Sequence, residues 1–120
     1  MRLTDGERKI LELLWTEGPM TAKELASALW QSAGWRRTTT YTMLSRCAEK
    51  GLLRRQEPDY LCIPCVSRSE VARAETDRLI EAEYSGSVDL LMTALIGQGR
   101  LSAKQLRQLY EALDQMEDET

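Results

Sequence analysis

Residues 34–51 read GWRRTTTYTMLSRCAEKG, and how this stretch folds decides the architecture of the whole chain. Three consecutive threonines and a tyrosine favour a strand by propensity, because β-branched and aromatic side chains suit a pleated surface. The second half argues the other way. MLSRCAEKG ends in a lysine and then a glycine, the usual C-terminal signature of a helix, where a cation meets the last carbonyls and glycine takes the left-handed turn. At helical spacing Thr40, Met43, Leu44 and Cys47 fall on one side, and Thr38, Thr39, Thr42, Ser45 and Arg46 on the other. The stretch is therefore expected to form a helix over about Arg37 to Lys50 whose outer face carries hydroxyls and an arginine.

The segments on either side support that reading. In LTDGERKILELLWTEGP, Thr4 stands three residues before Glu7, the spacing of a capping box, and Ile10, Leu11, Leu13 and Leu14 form an apolar stripe that Gly18 and Pro19 end. In MTAKELASALWQS, Thr21 and Glu24 repeat the device, with Leu25, Ala28 and Leu29 at helical spacing. After Gly51, LLRRQEPDYLCIP has two short runs around Pro58 and Asp59, the pattern of a small β-hairpin. Beyond it, Ser67 with Glu70 opens a long charged helix, VDLLMTALI follows the break at Ser85, Gly86 and Ser87, and Ser102 with Gln105 opens a last helix. The acidic tail EDET is expected to fray.

Three helices followed by a hairpin is the order of a winged helix-turn-helix, in which the third helix enters the DNA major groove. The expected fold class is thus mainly α with a small β-hairpin. Residues 1–66 are expected to form a winged-helix DNA-binding domain, and residues 67–120 a helical dimerisation domain. The second part carries apolar positions at Leu90, Leu91, Leu95, Ile96, Leu106, Leu109 and Leu113, with too little chain to enclose them alone. A homodimer would bury them, and two-fold symmetry is the common closed form.

Charge and composition narrow the function. The net charge of −3 hides an asymmetry: residues 1–66 hold ten basic against eight acidic residues, residues 67–120 six against eleven. Arg36, Arg37, Arg46, Lys50, Arg54 and Arg55 cluster within twenty positions, opposed there only by Glu49, which is the charge pattern of a local DNA footprint. On the third helix, threonine hydroxyls and methyls can contact phosphates, base edges and the thymine methyl, while Arg46 can pair with guanine. Arg36, Arg37, Lys50, Arg54 and Arg55 add charge toward phosphates. The chain has no histidine, which removes the commonest general base and metal ligand, and an enzyme is not expected. The N-terminus lacks the apolar core of a signal peptide, and no apolar run is long enough to span a bilayer, so the expected compartment is the cytoplasm without membrane insertion.

Three cysteines, Cys47, Cys62 and Cys65, are an odd number in such a chain, and a disulfide framework is not expected. Cys47 reads as core beside Leu44. CIPC has the spacing of zinc and redox pairs, so Cys62 and Cys65 are candidate metal ligands or redox thiols. Residues three apart on a strand point to opposite faces, however, and three cysteines without histidine fall one ligand short of a closed zinc site. No cofactor is expected. A thiol-based metal or redox sensor is the alternative to the DNA-binding reading, and a winged-helix protein-interaction module is a third.

The same residues carry a family resemblance. Trp35, Thr39, Thr42, Leu44, Arg46, Lys50 and Gly51 resemble the recognition helix of the penicillinase repressor family, the BlaI/MecI-type winged-helix repressors. Trp15, Gly18 and Pro19 resemble the end of that family's first helix, and SGSVDLLMTALIGQGRLSAKQLRQLYEAL its dimerisation region. The resemblance implies a homodimeric repressor on a pseudo-palindromic double-stranded operator, with Trp35, Thr38, Thr39, Thr42 and Arg46 at the DNA, and often a membrane-bound sensor protease as inducer. Three departures stand out. Arg36 and Arg37 replace the serine and proline that often follow the tryptophan, the hairpin loop QEPD lacks a basic tip, and Ala94 and Leu95 occupy the place of the Asn-Phe bond that well-known members cleave.

Overall fold

The structure, a computed structural model, describes residues 1–118. The elements in order are α1 (Asp5–Glu17), β1 (Met20–Thr21), α2 (Ala22–Ala33), α3 (Arg37–Glu49), β2 (Leu53–Gln56), β3 (Leu61–Pro64), α4 (Arg68–Glu83), α5 (Val88–Gly97) and α6 (Ala103–Asp118). Capping fixes the starts of most helices. Thr4 and Glu7 make both bonds of a capping box at α1, as do Thr21 and Glu24 at α2. Ser67 accepts from the Glu70 amide, Ser87 from that of Leu90 and Ser102 from that of Gln105. Each box satisfies amides that a helix start otherwise leaves without partners.

The chain divides into two compact units, Met1–Glu75 and Thr76–Thr120. In the first, Ile10, Leu11 and Leu14 of α1 meet Ala22, Leu25 and Leu29 of α2, Leu44 and Cys47 of α3, and Leu52, Leu53 and Cys62 of the sheet region. Trp15 and Trp35 pack partly buried against this cluster. The sheet has three strands in the order β1, β3, β2, all antiparallel, with Met20 opposite Cys62 and Arg55 opposite Cys62 on the other side. β1 adds a strand to the expected hairpin: the chain leaving α1 at Gly18, with φ of 84°, is extended for two residues before Thr21 caps α2, and its amide edge completes β3.

The start of α4 is tied to the first unit. The Trp15 indole N–H donates to the Val66 carbonyl at 2.8 Å, Arg68 pairs with Glu12 at 2.5 Å, and the Arg68 guanidinium lies 5.0 Å from the centre of the Trp15 ring. Val71 is buried. These contacts place the division between the units inside α4.

In the second unit no residue of α5 is buried, and the side chains of α6 described here are half-buried or exposed. Leu91, Leu95 and Leu106 are half-buried, while Val88, Leu90, Ile96, Leu109, Tyr110, Leu113 and Met116 are exposed. Met92, Leu106, Leu109, Tyr110 and Leu113 line an apolar cavity of about 220 Å³. α6 runs through Glu117 and Asp118, so the first half of the acidic tail is helical where fraying was expected; Glu119 and Thr120 lie outside the described residues.

Candidate nucleic-acid interface

α3 is divided lengthwise. Thr40, Leu44 and Cys47 are completely buried, and Thr38, Thr39, Thr42, Ser45 and Arg46 are exposed. This is the partition that the 3.6-residue period demands once one stripe is committed to the core. Thr38, Thr39, Thr42 and Arg46, with the half-buried Met43, line a shallow groove along the outer face. The buried Thr40 hydroxyl has no hydrogen-bond partner. Gly34, in the left-handed region at φ 68°, makes the turn between α2 and α3 and donates to the Trp30 carbonyl at 3.1 Å. α3 then begins on Arg36, whose side chain makes no cap bond, so this helix lacks the device that opens α1 and α2.

The basic residues differ in how far they are committed. Lys50 is held at the far end of α3: its ammonium donates to the Glu7 carboxylate at 2.7 Å and to the Arg2 carbonyl at 3.2 Å. Burial raises the Glu7 pKa, but the bonds from Lys50 and from the Thr4 amide and side chain, together with the Lys50 charge, outweigh it and hold the carboxyl below its ordinary value. The pair binds the start of α1 to the end of α3. Arg55, at the wing, pairs with Glu57 and stacks its guanidinium 3.8 Å from the centre of the Tyr60 ring. Arg37 donates to the Tyr41 hydroxyl at 3.4 Å and lies over that ring at 5.3 Å. Arg36, Arg46 and Arg54 are exposed, with no ion-pair partner among the described residues.

Beside the outward face of α3 lies a separate cleft that the pattern of α3 does not reveal. Lys23, Ser27 and Trp30 are exposed on α2 at helical spacing, and with the buried Ala26 between them and Trp35, Arg36 and Arg37 they line an open cleft of about 430 Å³. Trp35 is half-buried; Trp30 is 63% exposed, although an indole is among the costliest side chains to leave in water. A tryptophan on the solvent side of an otherwise polar helix face was the available signal.

The cysteines separate. Cys62 is completely buried on β3, and burial pushes its thiol pKa up to about 11; Cys47 is pushed up to about 12, by burial first and by the nearby Glu7 charge second. Cys65 is exposed. Cys62 and Cys65 each direct the sulfur toward the carbonyl two residues back, Tyr60 and Ile63, at 3.8 Å. A thiol that holds its proton inside a core is neither a ready ligand nor a ready nucleophile. Among the described residues no three Cys, Asp or Glu side chains gather as a metal site.

Three helices, a three-stranded sheet and an outward helix face of hydroxyls and arginine define a winged helix-turn-helix protein. The DNA-binding domain of the repressor BlaI matches this fold with a TM-score of 0.53 at 22% identity, over 57% of this chain and 87% of that one. The monomeric form of Bacillus licheniformis BlaI in complex with the blaP half-operator matches with 0.51 at 24%, over 58% and 88%. No curated protein matches the sequence significantly. Residues 3–115 match the penicillinase repressor family, and the chain belongs to that family of DNA-binding repressors, which are regulators and not enzymes. No helix among the described residues is long and apolar enough to cross a membrane.

Proposed function

We propose that the chain acts as a homodimer that holds a pseudo-palindromic operator, each copy reading one half-site with α3 in the major groove. The observation that carries the reading is the lengthwise division of α3, whose exposed face offers short hydroxyls and one arginine and nothing bulky enough to hold the helix out of a groove. Thr38, Thr39, Thr42 and Arg46 meet base edges and nearby phosphates, Trp35, Arg36 and Arg37 meet the backbone at the start of the helix, and Arg54 and Arg55 extend the footprint along the wing. Lys50 serves chiefly as a clamp on α1. BlaI, captured with a half-operator, supports one half-site per copy.

Residues 1–66 make the DNA-binding domain in this reading and residues 67–120 the dimerisation domain, with Leu90, Leu91, Leu95, Ile96, Leu106, Leu109 and Leu113 at the interface between copies. The exposed apolar faces of α5 and α6 support it, since water does not tolerate a patch of that kind cheaply. The site of action is the cytoplasm. The family resemblance implies a membrane sensor protease as the inducing partner, but Ala94 and Leu95 stand inside α5, where their carbonyls accept from Gln98 and Arg100, and cutting there requires the helix to unwind first. Release by another signal fits this chain better.

The test is a mobility-shift titration with the intergenic DNA beside the chain's own gene, at several salt concentrations. Selective, salt-sensitive binding is expected, and Arg46→Ala should weaken it by about 1–3 kcal/mol while leaving random DNA nearly unaffected. Equal binding to operator and random DNA would remove the reading.

A further inference from the structure

The cleft between α2 and the start of α3 joins three features that the DNA-binding face does not use together. Its walls include two indoles, Trp30 and Trp35, one of them largely exposed. Three cations, Lys23, Arg36 and Arg37, stand around it, with the Ser27 hydroxyl beside them, and no acidic residue lines it. At about 430 Å³ it falls within the roughly 300–1,000 Å³ range of small-molecule sites. We propose that this cleft binds a small planar aromatic anion, with the ring between the two indoles and the anionic group among Lys23, Arg36 and Arg37.

The residue types favour that occupant over the other plausible ones. A DNA phosphate would use the cations but has no flat face for two indoles, so Trp30 would stay in water. A neutral apolar molecule would use the indoles and leave three uncompensated positive charges at its edge. An aromatic anion satisfies both, because ring stacking and charge-assisted hydrogen bonds are then made by one molecule.

The position gives the site a regulatory consequence, and this part rests on the proposed DNA-binding reading. Arg36 and Arg37 line the cleft and also open α3. An anion that holds their guanidinium groups competes with the operator backbone for the same charges, so ligand and operator weaken each other by the same factor, as linkage requires.

Calorimetric titration of the full-length protein with 2-naphthoate tests the site without DNA. Saturable binding at one per chain is expected, with a dissociation constant below about 1 mM. Trp30→Ala should weaken it at least about ten-fold, and 2-naphthalenemethanol, the neutral analogue, should bind at least about ten-fold more weakly than the acid. Trp30 is outside the DNA-reading face, so Trp30→Ala is expected to keep the operator affinity of the parent protein. The second arm adds 2-naphthoate to the mobility shift: operator binding should fall in the parent and hold in Trp30→Ala. Absence of saturable heat, an unchanged affinity in Trp30→Ala, or equal binding of acid and alcohol overturns the site. Ligand binding that leaves operator affinity unchanged overturns the regulatory consequence. A protein that binds no operator at all fails the DNA reading, while the calorimetry still decides the cleft.

Discussion

The two units use apolar residues in opposite ways. In Met1–Glu75, three helices and a sheet close over Ile10, Leu11, Leu14, Leu25, Leu29 and Leu44, all exposed by 2% or less. In Thr76–Thr120, α5 is the most apolar helix of the chain and still buries nothing, and α6 turns Leu109, Tyr110, Leu113 and Met116 outward. The first unit satisfies its own hydrophobic residues. The second has the pattern of half an interface, since apolar area left in water is a cost that association removes. On the proposed dimer reading, stability belongs to different objects in the two places: to one chain in the first, to a pair of chains in the second.

The largest test of this contrast is to separate the halves. A fragment of residues 1–75 should unfold cooperatively in urea, whereas residues 76–120 alone should show no cooperative transition at micromolar concentration. A cooperative monomeric second fragment would break the contrast. Next, Leu44→Ala should cost about 2–5 kcal/mol in urea unfolding, independent of protein concentration, because it opens a cavity in a closed core. Leu109→Asp should instead turn the protein monomeric by sedimentation and leave the transition of the first unit in place.

A smaller effect comes from Glu7. Its folded pKa is lowered, so its ionised form stabilises the fold fully above the unfolded value near 4.5, and this contribution disappears as the pH falls through the lower folded value. Glu7→Gln should cost about 1–2 kcal/mol at neutral pH, taken at the low end because Lys50 is 44% exposed, and should flatten the loss of stability in acid. An equally steep acid loss in the variant would place the responsible group elsewhere. The smallest effect is a gain. Thr40→Val removes a buried hydroxyl without a partner at nearly constant shape and should raise stability by up to about 1 kcal/mol, measured as a urea midpoint, with operator binding unchanged.

Much of the helix pattern was legible because its signals are local. The capping spacings at Thr4, Thr21, Ser67 and Ser102 each correspond to formed bonds, and the period of GWRRTTTYTMLSRCAEKG assigns Thr40, Leu44 and Cys47 to the core although the threonine run favours a strand. What was not legible depends on partners distant along the chain. Lys50 reads as one basic residue among six, and only the fold brings it to Glu7, 43 positions earlier. β1 is two residues long, too short for any alternation, and exists because β3 offers an edge. Arg55 likewise reads as an available charge, yet the turn returns Glu57 and Tyr60 to it. Cys62 and Cys65 share a motif in sequence and opposite environments in space, since one lies on the core face of β3 and the other beyond its end.

The sheet of the first unit has a consequence for solubility. β3 lies between its two neighbours, so only β1 and β2 offer free backbone edges. An open edge invites another chain to add a strand, and proteins resist this by keeping edges short or charged. β1 is blunted by its length of two residues, and β2 by the adjacent Arg54 and Arg55. Strand-to-strand aggregation is thereby discouraged at both edges of the sheet.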